Sequence, residues 1–403
     1  MAFTFRIQPF KVLYLLLAVA FLLFIQLPFY TIYYAFPSMR PRRSWSLSRS
    51  LIMVALQSFV NTMYNTAPMT PPSPLEAEAK GESVGFVTIE PAAAVLVNED
   101  IVEAAKVNNV TAVKTGGFWY APKDREVTVG QKAAKNEKVI YHFHGGGFTG
   151  GTGNPSNANT KAIADGLVQH VPHNPRFFAL EYRLSSAPPF GQSNPFPAAL
   201  LDAVAGYRYL VTELGFEPEN VIISGDSAGG LLAFWLARYL NINQFEGLPV
   251  PGAMLLLSPT VDWANTQMGP TSSMKRNKAS DFVYPILVSG HTLRALLGNI
   301  PQAEAAQNPW VAPGSILLQH TPGLFGGLPK TCIVAGGAEQ TLDGMVTLKE
   351  RLEKDLGKSN VKYVEQPDGT HDFLALSWHE PERTETLVEI AGWVGNEVWA
   401  QSA

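Results

Sequence analysis

Val221-Ile222-Ile223-Ser224-Gly225-Asp226-Ser227-Ala228-Gly229-Gly230 is the stretch whose reading decides the fold. Its first residues are a short apolar run suited to a buried strand, and the run that follows it, beginning at Leu231, reads as a helix. Between them stands Gly-x-Ser-x-Gly, a pattern informative only in this strand–turn–helix setting. Small residues at 225 and 229 let neighbouring backbone close on a tight, strained turn, and the turn presents the Ser227 hydroxyl at a sheet edge. The following helix directs its N-terminal dipole and the Ala228 N–H toward any negative charge that develops there. A glycine-rich turn that merely joins two elements is the plain alternative; the flanking elements favour a nucleophile.

Working outward, the same alternation repeats. Strands are predicted at Val84–Ile89, Lys138–Phe143, Phe177–Tyr182, Ala253–Leu257, Thr331–Ala335 and Val361–Glu365. Helices are predicted near Ala158–His170, Pro197–Leu214, Ala228–Leu240, Asp343–Leu356 and Glu382–Trp399. Short apolar strands alternating with helices imply an α/β fold with a mostly parallel sheet covered on both faces. The stretch from Asp262 to Leu328 breaks the alternation and reads as a cap inserted over the sheet's C-terminal edge.

A second motif follows the strand Lys138–Phe143: His144-Gly145-Gly146-Gly147-Phe148. Three consecutive glycines are entropically costly and make sense where backbone must approach a ligand closely. The N–H groups of Gly145, Gly146 and Gly147, with that of Ala228, are the candidate donors for an oxyanion. A serine nucleophile also needs a base and an acid, and the chain order in this architecture is Ser, acid, His. Of the eight histidines, only His371 and His379 lie beyond the last predicted strand. His371 follows the turn Pro367-Asp368-Gly369-Thr370 and is the candidate base; His379 is expected to begin the final helix, solvated. The acid belongs in the loop after Thr331–Ala335, where Glu339 is the first choice. Asp343, expected in the first helical turn as a cap, is second, and Asp262 third. Phe148, Trp263 and Phe373 are candidate walls of an apolar substrate pocket, alongside Phe190 and Phe282, although core packing explains each about as well.

Together these residues resemble the hormone-sensitive-lipase family of α/β-hydrolases, which includes bacterial esterases and arylacetamide deacetylase. The matching pieces are His144–Gly147, Gly225–Gly230, Glu181-Tyr182-Arg183-Leu184 with Pro197–Asp202, and His371-Asp372-Phe373; the likeness spans roughly Val84 to Trp399. The resemblance implies an eight-stranded α/β-hydrolase sheet with a helical cap. It also implies hydrolysis of carboxylic esters of small, acylated, fairly apolar molecules through an acyl-enzyme, with no cofactor or metal. An apolar N-terminal stretch followed by Arg40-Pro41-Arg42-Arg43-Ser44-Trp45 is similar to the fungal branch of that family. One departure stands out: the family usually has Asp where this chain has Glu339. Tyr182, Arg183 and Asp202 read as an internal polar network rather than as participants in chemistry.

The N-terminus poses a separate solvent problem. Val12–Phe36 is apolar enough to cross a bilayer as a helix. A small-residue cleavage site would fall at Ala18-Val19-Ala20, inside the apolar run, so an uncleaved single-pass anchor in an endomembrane such as the ER is favoured over a secretory signal. Basic residues flank both sides of the stretch and leave its orientation open. The expected division is an anchor at 1–36, a basic and Pro-rich segment at 37–83 that could belong to the cap, and a catalytic domain at 84–403 with its cap at about 262–328. Leu51–Tyr64 is predicted helical, and Thr66–Ser83 a loop. The net charge of -4 over 403 residues supplies no basic excess for nucleic acid. The single cysteine, Cys332, excludes an internal disulfide and reads as a core residue.

Two other function classes stay in view. An acyltransferase would use the same residues with an alcohol or amine as acceptor. A silent ligand-binding member of the fold would be expected to lack one of the three catalytic side chains, and all three types are present.

Overall fold

Short, largely apolar runs build one eight-stranded sheet in the computed structural model, which describes residues 2–67, 78–98, 100–120 and 128–400. Its strands are β1 Phe86–Ile89, β2 Thr115–Tyr120, β3 Val139–Phe143, β4 Arg176–Glu181, β5 Val221–Asp226, β6 Ala253–Leu257, β7 Lys330–Gly336 and β8 Val361–Gln366. Their order is β1-β2-β4-β3-β5-β6-β7-β8. Only β2 runs against its neighbours; β4 through β8 form a parallel block.

The period of two in each strand divides the core. Tyr141, Phe143, Ile223, Leu256 and Ile333 face helices Ala198–Arg208, Ala228–Asn243 and Leu342–Leu356 on one side. Ile140, Ile222, Leu255, Cys332 and Val334 face helices Ala158–His170 and Glu382–Trp393 on the other. Strands covered on both faces must be apolar at every position, which is why they read as continuous runs. Cys332 is fully buried, and burial pushes its thiol far above the ordinary range.

β2 escapes a reading of the sequence because Gly116 and Gly117 dilute its strand character. The structure supplies the reason for them. A Cβ at Gly117 would lie 2.4 Å from the Phe178 ring, and one at Gly116 would lie 2.3 Å from the Phe86 ring. The glycines make room for aromatic neighbours on adjacent strands. Two helices expected to run on to Leu214 and Trp399 instead loosen into π turns, at Tyr209–Glu213 and Val394–Val398.

The N-terminal helix Phe10–Tyr33 is 24 residues long, with a mean hydropathy of 2.5 and none of its most apolar window buried. A second helix, Leu47–Thr66, is capped by Ser46, whose hydroxyl accepts from the Arg49 N–H at 3.1 Å. This helix is docked on the cap: Gln57 Nε2 donates to Asp281 O at 2.7 Å and to Lys278 O at 3.0 Å. Of the loop expected over Thr66–Ser83, residues 68–77 lie outside the described residues; Thr66 instead ends the preceding helix, and the chain from 78 is already helical, closing in a 3-10 turn at Gly81–Val84. The cap carries only short helices, Ser273–Arg276, Tyr284–Val288 and His291–Leu297.

A polar network crosses the sheet edge beside β4. Arg183 Nη2 pairs with Asp202 Oδ1 at 2.9 Å, the Arg183 N–H donates to Asp202 Oδ2 at 2.8 Å, and Tyr182 Oη donates to His144 O at 2.6 Å. Burial pushes the Asp202 carboxyl up while Arg183 pulls it down. Asp202→Ala should leave a half-buried guanidinium and an N–H without their acceptor, costing about 3 kcal/mol of unfolding free energy in urea titrations. A loss below about 1 kcal/mol, the range of an exposed pair, would contradict this reading.

Candidate active site

The loops that leave β3, β5, β7 and β8 at their C-terminal ends meet above the middle of the sheet, where open α/β sheets place their ligands. Ser227, directly after β5, has φ 51 and ψ −116, a conformation costly for a residue with a side chain. The surroundings enforce it. A Cβ at Gly225 would lie 2.1 Å from Gly229 O, and one at Gly229 would lie 1.9 Å from Phe143 O, so neither position admits a larger residue.

Ser227 Oγ lies 2.8 Å from His371 Nε2, and His371 Nδ1 lies 2.9 Å from Glu339 Oε2. A carboxylate at Nδ1 places the imidazole proton there, so the Nε2 lone pair faces the serine hydroxyl. Glu339 is fully buried and held from several sides. Its Oε1 accepts from Ser258 Oγ at 2.7 Å and from the Gly336 N–H at 2.6 Å, and its Oε2 accepts from Thr341 Oγ1 at 3.0 Å. The other two carboxylates considered for this role are engaged elsewhere. Asp343 Oδ2 accepts from the Ser273 N–H at 2.7 Å and Asp343 Oδ1 pairs with Arg276 at 2.8 Å, pinning the cap. Asp262 Oδ2 accepts from the Thr266 N–H and hydroxyl, both at 2.8 Å.

The glycine motif needs one correction. The Gly145 N–H donates to Asp226 Oδ2 at 2.9 Å and is therefore spent. The N–H groups of Gly146, Gly147 and Ala228 carry no such bond among the described residues. Asp226 has a part that the sequence pattern did not reveal. Its second oxygen sits 3.1 Å from His142 Nε2, so this carboxylate ties β3 and the glycine loop to the serine turn. His144 stacks on Tyr182 with ring centroids 4.2 Å apart, donates from Nδ1 to Gly145 O at 2.8 Å, and is lowered by burial to about 4, hence neutral.

The aromatic residues expected as pocket walls divide. Trp263 lies beside Gly147, and Phe282 stands edge-on to His371 at 5.9 Å. Phe148 is buried, stacked on Trp235 at 4.9 Å and 5.9 Å from Trp263. Phe373 is not a wall: it is fully buried among the core residues of the opposite sheet face and packs on His379. His379 is likewise not solvated. It is buried beneath Trp45 and Trp378, bonded to Glu382 at 3.2 Å, and lowered by that burial. Its burial depends on an N-terminal tryptophan more than 300 positions away, a contact that local sequence does not disclose.

The cap adds Asp281, a residue no motif marks. Asp281 Oδ2 accepts from the Gln340 N–H at 2.6 Å, and Asp281 Oδ1 accepts from Thr370 Oγ1 at 3.3 Å, so one carboxylate touches both the acid loop and the histidine loop. Burial pushes it up to about 6. At His371, burial works against the charged imidazole. The carboxylates of Asp372, Glu339 and Asp281 outweigh it and hold His371 above the usual histidine value. No cluster of three or more His, Cys, Asp or Glu side chains suited to a metal occurs among the described residues.

Known proteins carry the same frame. A family described as alpha/beta hydrolase fold matches residues 140–375. An acetyl-hydrolase of Streptomyces hygroscopicus is 28% identical over 300 residues, covering 72% of this chain and 88% of that protein. An esterase of Acinetobacter venetianus is 28% identical over 258 residues, covering 64% and 75%. The crystal structure of a hormone-sensitive lipase from a metagenome library superposes with a TM-score of 0.52 at 27% identity, covering 70% of this chain and 83% of that one.

Asp372 Oδ2 lies 3.4 Å from His371 Nε2 and favours the protonated ring. The acid limb of a kcat/KM profile reports the base that must be neutral in free enzyme. Asp372→Asn therefore should move that limb to lower pH, because one of the three carboxylates that raise His371 is gone. A limb that stays in place or moves to higher pH would contradict the assignment of charge around the ring.

Proposed function

Because the chain belongs to the α/β-hydrolase-fold family and is a carboxylesterase-type hydrolase of the hormone-sensitive-lipase-like kind, we propose that it works through Ser227, His371 and Glu339. The reading rests on one observation above all: the unbroken hydrogen-bond relay from Ser227 through His371 to Glu339, at 2.8 and 2.9 Å. In the proposed reaction His371 Nε2 takes the Ser227 proton as Oγ attacks the ester carbonyl. The oxygen gains negative charge and is held by the N–H groups of Gly146, Gly147 and Ala228. Glu339 keeps the ring in its productive tautomer and offsets the charge of the imidazolium. Collapse expels the alcohol, which takes the proton from His371, and leaves an acyl-serine. Water, deprotonated by His371, then releases the acid and restores Ser227.

The substrates proposed are small acylated molecules with apolar bodies, in keeping with Trp263 beside Gly147 and Phe282 beside the His371 ring. The catalytic body is residues 84–403 with its cap at about 262–328, and the apolar stretch followed by Arg40–Trp45 ahead of it is in the manner of the fungal branch. Phe10–Tyr33 acts as a membrane anchor, since a 24-residue helix of mean hydropathy 2.5, with no residue of its most apolar window buried, finds a suitable solvent in lipid.

Two outcomes test this. Ser227→Ala should lower turnover of short p-nitrophenyl esters about 10^4-fold or more while circular dichroism stays that of the wild type; turnover near the wild-type rate would refute the nucleophile. The full chain expressed in a eukaryotic cell should stay with the membrane pellet through an alkaline carbonate wash. Release into the supernatant, or an N-terminus starting after the apolar stretch, would instead indicate a cleaved secretory signal.

A further inference from the structure

The segment that follows the apolar helix lies outside residues 140–375, yet it reaches the loops behind the reacting groups. Arg42 Nη2 donates to Asn277 Oδ1 at 2.9 Å and also to Gly337 O, in the loop that carries Glu339. Asn277 extends that grip, donating from Nδ2 to Gly337 O at 3.0 Å and to Glu339 O at 2.6 Å. Trp45 is fully buried, and its Nε1 donates to Asp368 O at 3.1 Å, in the turn that leads to His371. Trp45 belongs to one small buried apolar cluster with Met53 and with Ala338 of the Glu339 loop. Arg49 closes the arrangement. It pairs with Glu382 at 2.8 Å, Glu382 holds His379 at 3.2 Å, and His379 Nε2 accepts from the Thr370 N–H at 3.3 Å, one residue before His371.

We propose that Arg42 and Trp45 are positioning residues for ester cleavage: they form a brace that holds the Glu339 loop and the His371 loop in register from the side away from the substrate. The proposal rests on the Ser227–His371–Glu339 reading and adds a requirement to it. The physical reason is that neither loop has a strand partner where it matters. Residues 337–341 and 367–371 lie beyond the ends of β7 and β8, joined to each other by few backbone bonds, such as Ala338 N–H to Gly369 O at 2.9 Å. The relay requires two oriented hydrogen bonds on one imidazole, and a displacement of about 1 Å there costs on the order of 100-fold in rate. Carbonyls 337 and 368 are points at which a donor from outside can fix both loops without entering the pocket. Arg42 and Trp45 supply those donors. Neither contacts Ser227, so their loss should act on the rate of chemistry and spare substrate affinity.

The test uses the full-length protein in detergent, with short p-nitrophenyl esters and a fluorophosphonate that titrates reactive serine. Arg42→Met and Trp45→Phe, each removing a donor while keeping apolar bulk, should lower kcat about 10- to 100-fold. KM should change little, and the number of titratable sites per molecule should stay at the wild-type value while each labels more slowly. Arg42→Lys should recover most of the loss because an ammonium can still donate to Gly337 O, and exposed Arg43→Met should behave as wild type. Wild-type kcat in both Arg42→Met and Trp45→Phe would overturn the brace. So would a loss explained by fewer titratable sites of normal turnover, which marks a folding role only. Ser227→Ala separates the two levels. If it still labels, the underlying triad falls and the brace with it; if it is silent while the brace variants react normally, the brace alone falls.

Discussion

The hydrogen bond between Ser227 Oγ and His371 Nε2 joins residues 144 positions apart, and the rest of the architecture can be understood as what makes that bond form. A parallel sheet brings the C-terminal ends of its strands to one edge, so the loops after β5 and β8 emerge on the same side. The crossover helices that parallel pairing demands then cover both faces and bury the strands completely. The Gly225 and Gly229 backbones press against neighbouring main chain and hold Ser227 at a positive φ, turning its hydroxyl out of the sheet. Strain at Ser227 is thus sustained by packing around it.

Electrostatics at the site follow the same logic of enclosure. Ser227 is 7% exposed and His371 only 2%, so charges there feel little water. Three carboxylates approach the imidazole, and each does something different. Glu339 orients it, Asp372 lies near its reactive nitrogen, and Asp281 joins the two loops from the cap side. Asp226, a fourth, never meets the imidazole; it fastens the glycine loop to the serine turn. The Glu339 side chain is held in place because Ser258, Thr341 and the Gly336 N–H fill the acceptor positions that His371 leaves.

Much of this was legible in the sequence, and the reasons are specific. β6 and the helix Ala158–His170 coincide with their expected limits because apolar period and turn residues agree there. That Ser227, Glu339 and His371 would meet was readable because each follows a strand in a short loop, and short loops leave few places to go. What stayed hidden depends on distant partners. β2 is concealed by glycines whose purpose is to admit Phe86 and Phe178. The burial of His379, the engagement of the Gly145 N–H and the reach of Asp281 are all set by residues tens to hundreds of positions away. The segment 37–66 reads as basic and amphipathic, and nothing local in it announces that Trp45 ends up with no exposed surface.

The most direct measurement is a crystal structure of the protein after reaction with an alkyl phosphonate ester, whose tetrahedral phosphorus imitates the first intermediate. The account predicts phosphorus bonded to Ser227 Oγ, a phosphoryl oxygen within hydrogen-bond reach of the Gly146, Gly147 and Ala228 N–H groups, and His371 still joined to Glu339. Phosphorus on another side chain, or its oxygen turned away from those three donors, would contradict it.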